Sequence, residues 1–216
     1  MKYKGVLFDL DGTLLDTIAD IAASVNIALG RLGFPQHQTQ AYRYFVGNGR
    51  EMMAVRALPE GHRDAATVEA LLCYIEEEYA CHWGDATNPY AGVPELLDAL
   101  TSHGISMAVL SNKPHGFTEM MVSKLLPRWR FEPVVGAMPS VPIKPDPAAA
   151  LQIVQRLNMQ PGDLLYVGDS GVDMMTAVSA GMYAVGALWG FRTADELLSS
   201  GAQTLINTPT DLLSLL

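Results

Sequence analysis

The stretch KGVLFDLDGT, residues 4–13, decides how this sequence is interpreted. Its first half is short and apolar, which is typical of a buried strand. The strand runs directly into two carboxylates, Asp9 and Asp11, and Gly12 then allows the chain to turn. Side chains two positions apart in an extended segment point to the same side. We therefore expect both carboxylates to face one place at the end of the first strand.

Strands and helices alternate in the second half of the chain. Helices are predicted at 93–103, 115–126, 147–157 and 172–180, strands at 105–110, 133–137, 163–167 and 182–187, and a last strand–helix pair at 203–215. Such alternation is typical of a parallel sheet that is wound on both faces. The predicted fold class is therefore α/β, a Rossmann-like doubly wound parallel sheet.

The residues between the first strand and this alternation have helical spacing only. A helix is predicted from Asp16 to Gly33, one or two short helices over 41–57, and a longer acidic helix after them. The sequence thus predicts an α/β core from 1–15 and 92–216, with an all-helical cap over 16–91. An insert at the carboxyl end of strand one is expected to act as a lid, because such sheets bind ligands there.

Composition excludes several classes of protein. The chain has 216 residues, of which 49% are hydrophobic, and this argues against disorder. A formal charge of −9 disfavours nucleic acid as a partner, since that affinity depends on Lys and Arg. The uncharged residues 176–191 are interrupted by Gly181, Gly186 and Gly190, which argues against a membrane span, and no secretory signal is visible. Cys73 and Cys81 lie too far apart on one helix for a disulfide, so a cytoplasmic location is expected. Whether the chain is a monomer or a homodimer stays open.

Four groups of polar residues lie at the carboxyl ends of predicted strands. They are Asp9 and Asp11, then Ser111-Asn112-Lys113, then Lys144, and finally Asp169 and Asp173. The carboxyl ends of parallel strands meet at one edge of a sheet, so these groups should converge. Crowded carboxylates repel one another unless a cation lies between them, and Mg²⁺ prefers such oxygen ligands. The sequence therefore predicts a magnesium site.

These motifs, in this order, resemble those of the haloacid dehalogenase-like hydrolases. The resemblance rests on Asp9-Leu10-Asp11-Gly12-Thr13-Leu14, Ser111, Lys144 and Gly168-Asp169-Ser170-x-x-Asp173, and it covers the whole chain. Four further stretches look like those of phosphoglycolate phosphatases: 111–114, 144–147, 46–49 and 189–192. The resemblance implies a helical cap and hydrolysis of a phosphate ester.

The resemblance also implies roles for single residues. Asp9 would be the nucleophile that forms an aspartyl-phosphate, and Asp11 would act as general acid and then general base. Lys144 would offset negative charge, while Ser111 and the amide of Asn112 would bind phosphoryl oxygens.

A metal site and a substrate pocket follow from the same resemblance. Mg²⁺ would be bound by the carboxylates of Asp9 and Asp169 and by the backbone carbonyl of Asp11. Asp173 would either bind the ion directly or lie next to a group that does. Thr13 is expected to support the nucleophile and is a candidate for binding phosphate or substrate. Asn48 and Arg50 in the cap would reach the non-phosphate end of the substrate, although an exposed arginine at an ordinary helix start explains Arg50 equally well.

The expected function is that of a Mg²⁺-dependent phosphomonoesterase acting on a small molecule such as 2-phosphoglycolate, with neither nucleic acid nor membrane as a partner. Alternatives in the same superfamily are a pyrophosphatase, a sugar-phosphate phosphatase and a phosphosugar mutase such as a phosphoglucomutase. An alternative of another class is a phospho-accepting signalling domain, although such domains have no place for a helical insert.

Overall fold

The computed structural model describes residues 2–216, and the chain divides into two compact units. One unit joins the residues up to Leu15 to Pro89–Leu216, and the other is Asp16–Asn88. The helical unit thus ends at Asn88, three residues before the end that the sequence pattern suggests. None of the helices in residues 2–216 has the length and apolar character that crossing a membrane requires.

Eight strands are present in the described part of the chain. They are β1 (Gly5–Phe8), β2 (Leu15–Asp16), β3 (Asn88–Pro89), β4 (Ser106–Pro114), β5 (Val134–Ala137), β6 (Leu164–Gly168), β7 (Tyr183–Ala187) and β8 (Thr204–Ile206). The short strands β2 and β3 pair with each other where the chain passes between the units. The other six form one parallel sheet in the order β5-β4-β1-β6-β7-β8. This confirms the predicted α/β fold class.

The strand order places a crevice at the centre of the sheet. The chain moves outward from β1 through β4 to β5, then crosses back to β6 on the other side of β1 and continues outward. Ligands bind where the direction of winding reverses, outside the carboxyl ends of the strands. The polar groups at the carboxyl ends of β1, β4 and β6 therefore come from three adjacent strands.

The polar residues after position 110 belong to a strand, which corrects the predicted boundaries. We expected a strand over 105–110, but β4 runs to Pro114, and Ser111 and Asn112 lie inside it. Pro114 still pairs with Ala137 of β5 after a shift of register that begins at Leu110. In the sequence, the polar side chains of 111–113 resemble the end of a strand. Continued pairing with β5 keeps these residues in the sheet.

Nine α-helices accompany the strands within residues 2–216. They are α1 (Ile18–Arg31), α2 (Thr39–Phe45), α3 (Arg50–Ala57), α4 (Ala65–His82), α5 (Val93–Ser102), α6 (His115–Leu125), α7 (Ala148–Arg156), α8 (Gly171–Ala180) and α9 (Ala194–Ser199). Short 3₁₀ helices occupy Glu60–His62, Pro161–Asp163 and Pro209–Leu215. The sequence pattern missed α9, because six residues make fewer than two turns and show no clear period.

The start of α8 explains why this helix begins directly after β6. Ser170 precedes the helix, and its hydroxyl oxygen accepts a bond from the Asp173 amide. The Asp173 carboxylate accepts a bond from the Ser170 amide in return. This reciprocal cap satisfies amides that the first turn of a helix leaves unpaired, and it fixes Asp173 at the carboxyl end of β6.

The helical unit is built on α1 and α4, which pack against each other. Asp20, in the first turn of α1, is buried and accepts bonds from the amides of Ala86 and Thr87 and from the Thr87 hydroxyl. Asp64 caps the start of α4 through the amide of Thr67. Buried Asp20 thus joins the first helix to the returning chain.

Replacing Leu7 by alanine should destabilise the α/β unit. Leu7 lies in β1 with no exposed surface, so its truncation leaves a cavity at the centre of the sheet. We expect a loss of about 2–5 kcal/mol in the free energy of unfolding, measured by urea denaturation. Leu198→Ala is the matched control, because Leu198 is 54% exposed and should change this free energy by less than about 0.5 kcal/mol. Equal losses in the two variants would contradict the assignment of β1 to the core.

Candidate active site

Three buried carboxylates meet at the carboxyl ends of β1 and β6. Asp9 directly follows β1, Asp169 directly follows β6, and Asp173 lies in the first turn of α8. One oxygen from each lies within 4.8 Å of the others, which suits a shared metal ion. The structure thus brings together the residues that the sequence placed at separate strand ends.

Lys144 provides the positive charge next to these carboxylates. Its Nζ lies 2.8 Å from Asp9 Oδ1 and 2.7 Å from Asp173 Oδ1, and it donates to the Leu110 carbonyl oxygen at 3.1 Å. The side chain is only 3% exposed. An ammonium group has three protons, so these contacts use its full capacity to donate and fix its position.

The loop that carries Lys144 is held by a neighbouring amide side chain. Asn112 Nδ2 donates to the Lys144 carbonyl, and the Lys144 amide donates to Asn112 Oδ1, both at 2.9 Å. The Asn112 side chain therefore positions Lys144, a task that the sequence did not reveal. Ser111 is buried beside it, and its Oγ accepts a bond from the Lys113 amide. The Ser111 hydroxyl proton can then point toward a bound oxyanion.

Asp169 is held by two donors. Its Oδ2 accepts the Phe191 amide at 2.7 Å, and its Oδ1 accepts the Thr13 hydroxyl at 3.3 Å. Thr13 is held in turn, because the indole nitrogen of Trp189 donates to its carbonyl oxygen at 2.9 Å. Thr13 thus supports Asp169 rather than the Asp9 carboxylate that the sequence suggested.

Glycines make room for the Asp169 carboxylate. A Cβ added at Gly190 would lie 2.2 Å from the Asp169 Cβ and 2.5 Å from the Gly12 carbonyl oxygen. A Cβ at Gly12 would lie 2.3 Å from Asp169 Oδ2, and Gly12 also has a φ of +88°. Any larger residue at either position must push Asp169 away.

Both oxygens of Asp173 already accept hydrogen bonds. Oδ1 receives Lys144, with the Tyr166 hydroxyl at 3.4 Å, and Oδ2 receives the hydroxyl and the amide of Ser170. This arrangement suits a carboxylate that orients Lys144 and adds charge beside a metal ion.

Burial and mutual repulsion shift the pKa values of these groups. Burial, followed by the charge of Asp173, raises the pKa of Asp9 to about 7, although Lys144 opposes the shift. Burial, followed by Asp173 and Asp9, also raises the pKa of Asp169 well above its ordinary value. For Lys144, burial acts to lower the pKa, but the charges of Asp173 and Asp9 outweigh it and raise the pKa well above its usual range.

The charge of the cluster fits a divalent cation. Three carboxylates cluster together, and Lys144 contacts two of them with a single positive charge. Burial is the main cause of the raised pKa values of Asp9 and Asp169, and repulsion from the neighbouring carboxylates adds to it. Carboxylate oxygens are the ligands that hard divalent cations prefer, so the donor set fits a metal site.

Asp11 lies outside the carboxylate cluster and has its own partner. Lys113 Nζ contacts both of its oxygens, Oδ1 at 3.0 Å and Oδ2 at 3.2 Å. The Lys113 side chain is 7% exposed and that of Asp11 is 17% exposed. No role for Lys113 is predicted from the sequence, although its position two residues after Ser111 indicates that it reaches the same edge of the sheet.

The two remaining predicted residues belong to the helical unit. Asn48 Oδ1 accepts a bond from Arg56, which also donates to the carbonyls of Tyr44 and Phe45 at the end of α2. Arg50 begins α3 and forms an exposed ion pair with Glu76. Arg56 therefore organises the loop between α2 and α3, and any contact of Asn48 or Arg50 with a substrate stays a prediction.

Sequence analysis singled out 189–192 only for its resemblance and did not predict that this loop after β7 supports Thr13 and Asp169. Trp189, Gly190 and Phe191 all act on Thr13 or Asp169, yet these residues contain no titratable group that would indicate a site. The signal lies in the strand order, because β7 is the neighbour of β6 and its carboxyl end opens on the same edge.

Comparison with protein families agrees with this site. The family model described as haloacid dehalogenase-like hydrolase matches residues 6–187, which include all of the clustered carboxylates. A phosphoglycolate phosphatase of Pseudomonas putida is 36% identical over 86% of this chain and 70% of its own length. A phosphoglycolate phosphatase of Xanthomonas campestris is 33% identical over 97% of this chain and 94% of its own.

Solved structures show the same fold. A putative phosphoglycolate phosphatase from Lactobacillus delbrueckii superposes with a TM-score of 0.92 at 28% identity, covering 100% of this chain and 98% of the other. A predicted phosphoglycolate phosphatase from Haemophilus somnus gives a TM-score of 0.92 at 26% identity, with the same coverage of both chains.

Gly190→Ala should weaken the binding of a divalent cation. The added methyl group displaces Asp169, and groups that position metal ligands typically contribute about 10–100-fold to metal affinity. Isothermal titration of the metal-free protein with Mg²⁺ measures the loss. Gly162→Ala is the matched control, because a Cβ at Gly162 meets nothing within 4 Å. An unchanged affinity in Gly190→Ala would mean that Asp169 does not contact the cation.

Proposed function

Because the chain belongs to the haloacid dehalogenase-like hydrolases, we propose that it hydrolyses a small phosphorylated acid, such as 2-phosphoglycolate, through an aspartyl-phosphate on Asp9. Its similarity to phosphoglycolate phosphatases identifies it as an enzyme that acts on phosphoric monoesters. The substrate, the covalent intermediate and the metal ion are the parts that we propose.

One observation carries the proposal, namely the ammonium group of Lys144 between Asp9 and Asp173. Lys144 and the amide of Leu10 both contact Oδ1 of Asp9, so Oδ2 is the candidate attacking atom. A carboxylate held in one orientation beside a buried cation can approach an anionic phosphoryl group, which a bare carboxylate cluster would repel. The same lysine then neutralises charge on the phosphoryl oxygens.

The first half-reaction transfers the phosphoryl group to Asp9. A carboxylate oxygen of Asp9 forms the new bond to phosphorus while the bond from phosphorus to the leaving oxygen breaks. Asp11, two residues away, gives a proton to that oxygen, so the product leaves as an alcohol. The Ser111 hydroxyl and the backbone amide of Asn112 donate to the phosphoryl oxygens during the transfer.

The second half-reaction releases phosphate. Asp11 is now a carboxylate and removes a proton from a water molecule, whose oxygen attacks phosphorus. The bond between phosphorus and Asp9 breaks, which restores the Asp9 carboxylate. Asp11 regains a proton in this step, so both catalytic carboxylates return to their starting states.

We propose Mg²⁺ as the cation, bound by the carboxylates of Asp9 and Asp169 and by the backbone carbonyl of Asp11. When bound there, it stabilises negative charge on the transferring phosphoryl group. Asp173 is proposed to act beside the ion, since each of its oxygens accepts two hydrogen bonds, whereas each oxygen of Asp169 accepts only one. Asn48 and Arg50 remain our candidates for the non-phosphate end of the substrate, with the helical unit as the lid.

Asp9→Asn should abolish turnover and leave the fold intact. An amide is a poor nucleophile, and its size matches that of the carboxylate, so the packing around position 9 persists. Release of phosphate from 2-phosphoglycolate measures turnover, and thermal unfolding measures the fold. Asp195→Asn removes an exposed acid at the start of α9 and serves as the matched control. Turnover of Asp9→Asn near the rate of the unchanged protein would refute the covalent scheme.

Among small phosphates, 2-phosphoglycolate should have the highest kcat/KM. Phosphate release is measured for 2-phosphoglycolate, glucose 6-phosphate, glucose 1-phosphate and pyrophosphate, each with Mg²⁺ and again with excess chelator. We expect a preference of at least about ten-fold, equal to about 1.4 kcal/mol, because a charged group at the non-phosphate end of the substrate needs a matching partner.

Other outcomes of this panel favour the alternatives. Faster release from pyrophosphate would favour a pyrophosphatase, and faster release from a glucose phosphate would favour a sugar-phosphate phosphatase. Interconversion of the two glucose phosphates without phosphate release would indicate a mutase. A phosphorylated protein that persists for hours would indicate a signalling domain.

A further inference from the structure

Lys113 is a buried cation that the proposed mechanism does not yet use. It lies in β4, two residues after Ser111, and its ammonium group contacts both oxygens of Asp11. Its backbone is fixed on both sides, because its amide donates to Ser111 Oγ and its carbonyl accepts the Thr118 hydroxyl. A rigid strand therefore presents this ammonium group to Asp11.

The two buried lysines serve different carboxylates. Lys144 contacts Asp9 and Asp173, whereas Lys113 contacts Asp11 at nearly equal distances of 3.0 and 3.2 Å. Contact with both oxygens restrains the rotation of a carboxylate as well as its position. The Asp11 side chain is thereby held apart from the cluster that suits the metal ion.

The contact with Lys113 bears on the second half-reaction, in which Asp11 acts as a carboxylate. An ammonium group that donates to both oxygens pairs with the carboxylate form, which has no proton to give. That form is the one present after Asp11 has given its proton to the leaving group. Lys113 is therefore suited to hold the Asp11 carboxylate during that half-reaction.

We propose that Lys113 is the positioning residue for hydrolysis of the phosphorylated enzyme, in which it holds the Asp11 carboxylate in place to accept a proton from the attacking water. The inference rests on the proposed function, because it assumes an aspartyl-phosphate on Asp9. The oxygen of water bonds to phosphorus, the proton passes to Asp11, and the bond from phosphorus to Asp9 breaks. Lys113 gains and loses nothing in this step.

The test follows the phosphorylated enzyme directly. Radiolabelled p-nitrophenyl phosphate is the substrate, because its leaving group departs without needing a proton and so separates the two roles of Asp11. Lys113→Met should slow the decay of the labelled enzyme after a chase by about 10²-fold, the usual cost of a misplaced reacting group. It should show a burst of nitrophenol and a reduced kcat, with kcat/KM within about three-fold of the unchanged protein.

Two further variants separate positioning from folding. Lys113→Arg keeps the positive charge and should restore the decay rate to within about ten-fold of normal. Lys124→Met removes an exposed lysine from α6 and should leave every rate unchanged. Thermal unfolding of each variant identifies any rate loss that comes from a damaged fold, and Lys113→Gln replaces Lys113→Met if the latter does not fold.

The inference is overturned if folded Lys113→Met loses its phosphoryl group at the normal rate, or if kcat/KM falls as much as kcat with no burst. The second result would mean that Lys113 acts in binding or in the first transfer. Asp11→Asn in the same assay distinguishes this failure from failure of the proposed function. If Asp11→Asn does not accumulate labelled enzyme, the base role of Asp11 is wrong; if it does and Lys113→Met does not, only the role of Lys113 is wrong.

Discussion

An ammonium group between two carboxylates, almost fully removed from water, is the contact on which the site depends. Moving such charges out of water costs several kcal/mol per ion, and good geometry must offset that cost. Lys144 meets this condition because Asp9, Asp173 and the Leu110 carbonyl use all three of its protons. Asn112 of β4 holds the backbone of Lys144. A strand next to β1 therefore determines where the loop after β5 places the ammonium group of Lys144.

Much of the fold and part of the site could be predicted from the sequence. Asp9 and Asp11 end an apolar strand, and Asp169 ends another, so local pattern and sheet topology together bring these carboxylates to one edge. The partners of those carboxylates could not be predicted in the same way. Whether Asn112 turns toward a substrate or toward Lys144 depends on the path of a loop 32 residues later in the chain, which no local pattern encodes.

The limits of the sequence pattern have physical causes that particular elements show. The polar residues of β4 resemble a loop, but pairing of Pro114 with β5 extends the strand past them. Helix α9 is too short to display a period. The contribution of the loop after β7 comes from the Phe191 amide, from the Trp189 indole and from the absence of a side chain at Gly190, all of which depend on three-dimensional proximity alone.

The hydrogen bond from the Trp189 indole to the Thr13 carbonyl links tryptophan fluorescence to the site. Thr13 donates to Asp169, so the indole lies two hydrogen bonds away from a carboxylate whose charge environment changes when a cation arrives. Indole emission responds to nearby fields and to solvent access. The chain has two other tryptophans, Trp83 and Trp129, and replacing both with phenylalanine would leave Trp189 as the sole fluorophore of its kind. Its emission would then report whether the proposed cation is bound beside Asp169, without any attached dye.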